Sequence, residues 1–109
     1  MTHGILEHVA FALRDGVDEA EFLAAAEEIS RWAVRQQGFE YRCLTRGADG
    51  RWLDLRFWSS REAAERARER LTRQEGRGPF MRMIDPTSVE VHFRPVMARK
   101  APAGLMLAA

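Results

Sequence analysis

The sequence predicts an α+β domain in which a four-stranded antiparallel sheet carries two helices on one face. Two patterns support this prediction. Four segments alternate apolar and polar residues with the two-residue period of a strand, and two longer segments repeat apolar residues with the 3.6-residue period of a helix. The segments follow one another in the order β-α-β-β-α-β, and a chain of 109 residues fits one domain.

The first strand is expected from Ile5 to Leu13. Both of its alternating sets of side chains are mostly apolar, so the alternation leaves open which face is buried. Glu7 shares a face with Ile5 and Val9, whereas His8 belongs to the opposite face. Because burial opposes the charged form of a carboxylate, Glu7 is the unusual member of this strand.

A long amphipathic helix is expected from Asp18 to Gln37. Its apolar stripe is formed by Phe22, Ala26, Ile29 and Ala33. This spacing is typical of a helix with one buried side. Asp18 lies three residues before Glu21, which is the spacing of a capping box, and Gly38 is a natural helix stop.

A β-hairpin is expected next, with strands at Phe39–Arg46 and Trp52–Trp58. Asp49 and Gly50 favour the turn between them, because Asp-Gly tolerates the positive φ of tight hairpin loops. The second of these strands alternates Leu53, Leu55 and Phe57 with Trp52, Asp54, Arg56 and Trp58. It therefore has one apolar face and one face that mixes polar and aromatic side chains.

The second half of the chain repeats the pattern of the first. Ser59 and Glu62 again have capping-box spacing, so the second helix is expected to begin there. The narrow apolar face of this helix is formed by Ala63, Ala64, Ala67 and Leu71. The apolar run 80–84 is expected to make one helical turn that ends before Pro86. A fourth strand is expected over residues 88–94, closed by Pro95.

This order is that of the ferredoxin-like fold, in which both helices cover one face of the sheet. We expect Tyr41 and Cys43 on the face under the helices, as part of the core. The other face is expected to draw on a polar set with two tryptophans, which suits a semi-enclosed cleft. The members of this set are Glu40, Arg42, Trp52, Asp54, Arg56, Trp58, Glu90, His92 and Arg94. The domain is expected to span residues 1–96, followed by a tail, residues 97–109, that is disordered or docked on a partner subunit.

Composition narrows the classes of function. The formal net charge is +1, so no nucleic-acid partner is expected. The chain shows neither a signal-peptide pattern nor an apolar run of about 18 residues, so no membrane partner is expected. The single cysteine, Cys43, excludes an internal disulfide and is typical of a cytoplasmic protein. A domain this small gains by covering an open sheet face, which favours a homodimer.

Five short motifs, in their order and spacing, resemble those of the dimeric α/β-barrel superfamily, and within it the antibiotic biosynthesis monooxygenase-like domains. They are Phe11-x-Leu13 with Asp15-Gly16-Val17, Gln36-Gln37-Gly38-Phe39, Asp49-Gly50-Arg51-Trp52, Phe57-Trp58-Ser59-Ser60-Arg61-Glu62-Ala63 and Pro79-Phe80-Met81. The resemblance covers roughly Ile5 to Val96. It implies a homodimer whose sheets pack face to face, and a small aromatic or polyketide-like ligand that is oxidised without a cofactor.

The resemblance also bears on cofactors. Trp58 matches the tryptophan that oxygenases of this family place at the end of the third strand. The segment Ser59–Glu75 contains no histidine, so the iron ligand of the haem-degrading members is missing. His3, His8 and His92 lack the close spacing of a zinc helix motif. We therefore expect neither a metal nor an organic cofactor.

The candidate site combines a base, a cation and aromatic walls. Glu7 or His8 is expected to remove a proton, and Arg56 is expected to steady the resulting anion. Further ligand contacts are expected from Trp52, Trp58, Phe80 and His92.

Several of these residues also have a structural alternative. Glu7 is equally suited to pair with Arg42 or Arg56 across strands. Tryptophans at a dimer interface explain Trp52 and Trp58 without any ligand.

Three functions therefore remain open: an enzyme, a non-catalytic binding or structural dimer, and a cofactor-free cyclase or isomerase. A pocket of roughly a few hundred Å³ beside Glu7 or His8 favours an enzyme. A cleft filled by Trp52, Trp58, Phe80 and Met81 favours the non-catalytic dimer.

Overall fold

The computed structural model describes residues 4–75 and 78–104. Within these residues, four strands and three helices follow one another along the chain. The strands are β1 (Ile5–Phe11), β2 (Phe39–Arg46), β3 (Trp52–Trp58) and β4 (Glu90–Pro95). The helices are α1 (Glu19–Ala33), α2 (Arg61–Glu75) and α3 (Pro79–Met83), and a 3-10 turn spans Pro86–Ser88. The expected order of elements is confirmed, with α3 as the short helical turn before the last strand.

The four strands form one antiparallel sheet in the order β2-β3-β1-β4. β1 is an interior strand, because it pairs with β3 on one side and with β4 on the other. The buried residues of α1, α2 and α3 pack on the same face of this sheet. The predicted ferredoxin-like arrangement is therefore confirmed.

The core between sheet and helices is centred on Phe22 of α1, whose side chain is fully buried. Its ring centroid lies 5.8 Å from that of Phe11, 4.9 Å from that of Trp52 and 5.3 Å from that of Phe80. Phe22 therefore connects α1 with β1, β3 and α3 in one aromatic cluster. Aromatic pairs at these distances stabilise a core beyond their buried area.

The two faces of the hairpin are the reverse of those we expected. Four alternate residues of β3 are buried under the helices: Trp52, Asp54, Arg56 and Trp58. Tyr41 is 45% exposed, and Cys43 pairs with Leu55 on the face away from the helices. The assignment was wrong because the charged side chains on this face are held in ion pairs. Paired charges remove most of the cost of burial, so the large tryptophans decide which face is covered.

We term the face away from the helices the open sheet face. Its apolar members are Leu6, Tyr41, Leu53, Leu55 and Phe57. Its polar members on β4 are Glu90, His92 and Arg94, as expected, and β1 contributes His8. Four of these apolar residues lie on the interior strands β1 and β3, whereas Tyr41 lies on the edge strand β2 and the polar members lie mainly on the other edge, β4.

Both helix starts differ in detail from the expected capping boxes. Asp18 does precede α1, but its side chain makes no capping hydrogen bond. At α2 the backbone N–H of Ala63 donates to Ser60 Oγ at 3.1 Å, so the cap lies one residue after the expected Ser59.

α1 ends at Ala33, four residues before the expected end, because tighter turns follow in which Gln36 N donates to Ala33 O. Gly38 ends these turns with φ +86° at a point where a Cβ would lie 2.6 Å from Ala63 Cβ. Glycine is therefore required here both for the positive φ and for the close approach of α2.

The segment after β4 returns towards the start of β1. Val96 N donates to Gly4 O at 3.0 Å, and the guanidinium of Arg99 lies 2.8 Å from Glu40 and 5.6 Å from the ring centroid of Phe57. Residues 105–109 of the expected tail lie outside the described part of the chain. Among the described residues, no helix is both long and apolar enough to cross a bilayer.

Replacing Phe22 with alanine is expected to lower the free energy of unfolding by about 3–5 kcal/mol, because it removes the ring at the centre of the core. Leu23→Ala, on the same helix but 46% exposed, is the matched control and is expected to cost far less. Urea unfolding followed by tryptophan fluorescence measures both variants. Equal losses in the two variants would contradict the central position of Phe22.

Candidate functional site

Two adjacent cavities lie between the sheet and the helices. The larger has a volume of about 150 Å³, and its apolar wall includes Val9, Phe11, Leu71, Phe80, Met81 and Ile84. The smaller, of about 10 Å³, is lined in part by Glu7 and Trp58. Arg56, Arg68 and Leu71 line both cavities and so form the partition between them.

An ion-pair network beneath the helices begins at Asp54, whose side chain is fully buried. Arg42 donates two hydrogen bonds to this carboxylate, from Nε to Oδ1 at 3.0 Å and from Nη2 to Oδ2 at 2.7 Å. Arg56 donates a third, from Nη2 to Oδ2 at 2.9 Å. Such a fork-to-carboxylate geometry satisfies a buried charge better than a single contact does.

The same network fastens α1 to the sheet. Arg42 Nη1 donates to the backbone carbonyl of Ala26 at 2.8 Å and to Ser30 Oγ at 2.9 Å. Both acceptors lie on α1, whereas Arg42 and its carboxylate partner lie on β2 and β3. One arginine therefore joins a helix to two strands.

Glu7 of β1 is the second buried carboxylate, with only 1% of its surface exposed. Trp58 Nε1 donates to its Oε1 at 3.0 Å, and Arg68 Nη1 donates to its Oε2 at 3.3 Å. Arg56 Nη1 lies 3.7 Å from the same Oε2. Arg56 thus connects the two carboxylates.

The charges of this network do not cancel. Its two carboxylates, Glu7 and Asp54, face three guanidinium groups, those of Arg42, Arg56 and Arg68. Buried Arg56 Nε has no hydrogen-bond partner among the described residues. A net positive charge therefore lies at the wall of an apolar cavity, where an anionic oxygen would balance it.

The network also sets protonation states. Burial raises the pKa of Asp54, but the charges and hydrogen bonds of Arg56 and Arg42 together outweigh burial, so its pKa is lowered below 3.8. Burial lowers the pKa of Arg56, and here the negative charges of Asp54 and Glu7 prevail and raise it. Asp54 is therefore ionised and Arg56 protonated at neutral pH.

The structure separates the candidate site residues into three places. Glu7, Arg56, Trp58 and Phe80 surround the two cavities. Trp52 lies in the core against Phe22 and lines neither cavity. His8 and His92 lie on the open sheet face, on the other side of the sheet. Glu7 lies opposite Arg56 in the register of β1 and β3. The structure therefore combines the cross-strand pair, which we gave as the alternative role of Glu7, with a cavity beside it.

Sequence reasoning missed Arg68, and it offered Arg42 as a partner of Glu7 whereas Arg42 binds Asp54. Arg68 lies on α2 among other arginines that form surface pairs, such as Arg61–Glu65 and Arg73–Glu69. Its position offered a signal, because it directly follows Ala67 and precedes Leu71 by three residues on the buried stripe. A long side chain at the border of such a stripe can reach a buried carboxylate on the sheet.

Comparisons with known proteins identify the fold. No family model and no curated protein matches the chain. The chain is similar in structure to a Nitrosomonas europaea protein whose name is that of an antibiotic biosynthesis monooxygenase. The two superpose with a TM-score of 0.74 at 15% identity, over 93% of this chain and 97% of that one. SnoaB, a cofactor-independent oxygenase from Streptomyces nogalater, has a TM-score of 0.59 at 21% identity, over 92% and 98%. A monooxygenase from the gene ActVA-Orf6 of Streptomyces coelicolor, in complex with Nanaomycin D, has a TM-score of 0.64 at 15% identity, over 92% and 93%.

At these identities the likeness establishes a shared fold. The resemblance to antibiotic biosynthesis monooxygenase-like domains, first indicated by five short motifs, is confirmed at that level.

Replacing Asp54 with asparagine is expected to destabilise the protein by about 3–5 kcal/mol at pH 7, because it leaves buried guanidinium charges without their partner. The difference in the free energy of unfolding between the wild type and Asp54→Asn is expected to become smaller as the pH falls. Since the pKa of Asp54 is lowered by folding, its stabilisation is complete above pH 3.8 and is lost as the pH falls below that value.

Urea unfolding at pH 7, 4 and 3, at one protein concentration, measures this difference. Asp15→Asn, which changes an exposed carboxylate, is the control. A difference between wild type and Asp54→Asn that stays constant down to pH 3 would contradict the role assigned to the Asp54 charge.

Proposed function

We propose that this protein binds a small aromatic molecule with an acidic oxygen between sheet and helices, and oxidises it with molecular oxygen without an organic cofactor. The observation that carries the proposal is the apolar cavity of about 150 Å³ with Arg56 at its wall. The guanidinium of that arginine supplies a polar contact that orients an otherwise apolar ligand.

The cavity also limits the size of the ligand. A dry cavity of about 150 Å³ accommodates a molecule the size of benzene. The proposed ligand therefore places one aromatic ring among Phe11, Phe80 and Met81, with its acidic oxygen towards Arg56. Any further ring would have to extend through the partition at Arg68.

Glu7 is the residue to which we assign proton removal. It lines the smaller cavity, whereas His8 lies on the opposite face of the sheet. Arg68 lies between Glu7 and the larger cavity, and its side chain is 42% exposed. A rotation of Arg68 towards solvent joins the two cavities and brings the ligand's hydroxyl within reach of Glu7.

The proposed reaction balances for a phenol. Glu7 takes the hydroxyl proton, and Arg56 stabilises the phenolate. The electron-rich ring then reduces O₂: one oxygen atom forms a new C–O bond, and the other leaves as water with the hydrogen lost from that ring carbon and the hydroxyl proton. A phenol and O₂ thus yield a quinone and water, and the substrate itself supplies all the electrons.

Two of the similar structures support this reaction class. SnoaB is described as a cofactor-independent oxygenase, and the Streptomyces coelicolor monooxygenase was solved with Nanaomycin D.

The second candidate function, a non-catalytic binding dimer, is favoured by a different observation. The carboxylate of Glu7 is already engaged by Trp58 and Arg68. A cofactor-free cyclase or isomerase would use the same base without consuming oxygen.

Replacing Glu7 with glutamine is expected to lower the rate of oxygen uptake with single-ring phenols, such as phenol itself, by roughly 100-fold or more, because it removes the base. Ligand affinity, measured by tryptophan quenching, is expected to change little. Arg56→Gln is expected to weaken binding by about tenfold or more, because it removes a charged hydrogen-bond donor.

Glu62→Gln, on the exposed start of α2, is the matched control. Circular dichroism confirms that each variant is folded. Binding without oxygen uptake in the wild type would replace the oxygenase by the second candidate function or by an isomerase. An unchanged turnover in Glu7→Gln would remove Glu7 from the mechanism.

We further propose that the protein is a cytoplasmic homodimer that buries the open sheet face. Five apolar side chains on this face, Leu6, Tyr41, Leu53, Leu55 and Phe57, have no helix covering them within the described residues. Burial of such a face against a second copy is strongly favourable, since each Å² of apolar surface contributes about 25 cal/mol.

Leu55→Lys is expected to convert the dimer into a monomer, because it places a charge at the centre of the interface. Light scattering during size-exclusion chromatography measures the mass. Ala24→Lys, on the exposed side of α1, is the control and is expected to leave the dimer intact. A wild-type mass of one chain at micromolar concentration would rule out the dimer.

A further inference from the structure

Two histidines that are distant in sequence meet on the open sheet face. His8 of β1 and His92 of β4 are direct partners in the antiparallel register, so their side chains project from the same face. Their ring centroids lie 6.0 Å apart, with an angle of 64° between the ring planes. His92 lies on the edge strand β4, whereas His8 lies on the interior strand β1 opposite Leu55, so the pair extends from the rim of this face towards its apolar centre.

The separation of the rings suits two imidazoles that share one metal ion. Zn–N bonds of about 2.0–2.1 Å at a tetrahedral angle place the two ring centroids roughly 5 Å apart. Small side-chain rotations that shorten the distance between the two ring centroids by about 1 Å bring the rings to that separation. Cross-strand neighbours are well placed for this, because their Cβ atoms are already close and point the same way.

His8 carries an additional indication. Its Nδ1 is buried and has no hydrogen-bond partner within the described residues. A buried imidazole nitrogen without a partner is costly, and coordination to a metal would satisfy it.

A third donor is within reach on the same strand. Glu90 lies two residues before His92 and therefore on the same face, diagonal to His8. The Glu90 carboxylate lies 3.8 Å from Arg51, and the two side chains are 68% and 41% exposed, respectively. An ion pair this exposed is too weak to hold Glu90 away from a metal ion. Arg94 lies two residues beyond His92 on the same face, and its positive charge repels a metal cation bound there.

We propose that His8 and His92 chelate a divalent metal ion of the later first row, represented by Zn²⁺, with Glu90 as a third ligand and water in the remaining position. In their present rotamers, no three possible ligands converge among the described residues. The two histidines therefore form the primary site, and Glu90 joins by rotation. Two imidazoles and one carboxylate are a donor set typical of zinc. This site lies across the sheet from the cavity and is independent of the function proposed there.

The test uses the full-length, tag-free chain in a metal-free buffer at pH 7.5. Calorimetry measures Zn²⁺ binding, and Co²⁺ serves as a visible probe, because nitrogen ligation changes its absorption. His8→Asn and His92→Asn are each expected to weaken binding by roughly tenfold or more, since even the loss of an outer-shell partner costs about 10- to 100-fold.

Three further variants separate this site from general surface binding. His3→Asn removes the remaining histidine of the chain and is expected to leave binding unchanged. Glu90→Gln is expected to weaken binding, whereas Arg94→Gln is expected to tighten it by removing a repulsive charge. Circular dichroism establishes that the variants are folded.

The outcomes are decisive in either direction. One Zn²⁺ per chain, lost in both histidine variants and kept in His3→Asn, supports the site. No binding by the wild type at Zn²⁺ concentrations up to about 1 mM, or equal binding by the His8→Asn/His92→Asn double variant, overturns it. Phenol binding and oxygen uptake are measured separately on the same samples, so failure of the metal site leaves the proposed function untouched.

Discussion

The fully buried carboxylate of Asp54, held by Arg42 and Arg56, is the interaction on which the rest of this structure depends. An unpaired ion at this depth would cost several kcal/mol, so neither sign of charge is stable there without the other. Arg42 extends the same network to the backbone of α1. The position of that helix over the sheet is therefore coupled to an ion pair as well as to the aromatic core around Phe22.

This constraint also explains why a cavity lies in the helix layer. Arginine side chains are long and keep their guanidinium groups where acceptors are, so Arg56 and Arg68 occupy the layer without filling it as a close-packed apolar cluster would. The small residues Ala63, Ala64 and Ala67 bring α2 close to the sheet at one end. At the other end, Leu71 and Phe80 border open space. Polar network and apolar pocket are thus two consequences of the same packing.

The sequence predicted the strands and their order well, because alternation and turn residues are local signals. The limits of β2 and β3 agree with the expected ones, and Gly50 has the positive φ that Asp-Gly indicated. The burial of the hairpin faces was assigned wrongly, because alternation distinguishes two faces without saying which is covered. That choice depended on whether the charges on Asp54 and Arg56 find partners on other elements. Such partners are brought together only by the complete fold.

The candidate site also depends on contacts that only the complete fold brings together. Glu7, Arg56, Trp58 and Phe80 were identified from residue type and position, whereas the contribution of Arg68 depends on how far its side chain reaches from α2. That contribution matters because it changes the sign of the site. With Arg42 and Arg56 alone, two carboxylates and two guanidinium groups would cancel, and the cavity would have no preference for charge. The third guanidinium makes the wall positive, which is the physical basis for the anionic oxygen of the proposed ligand.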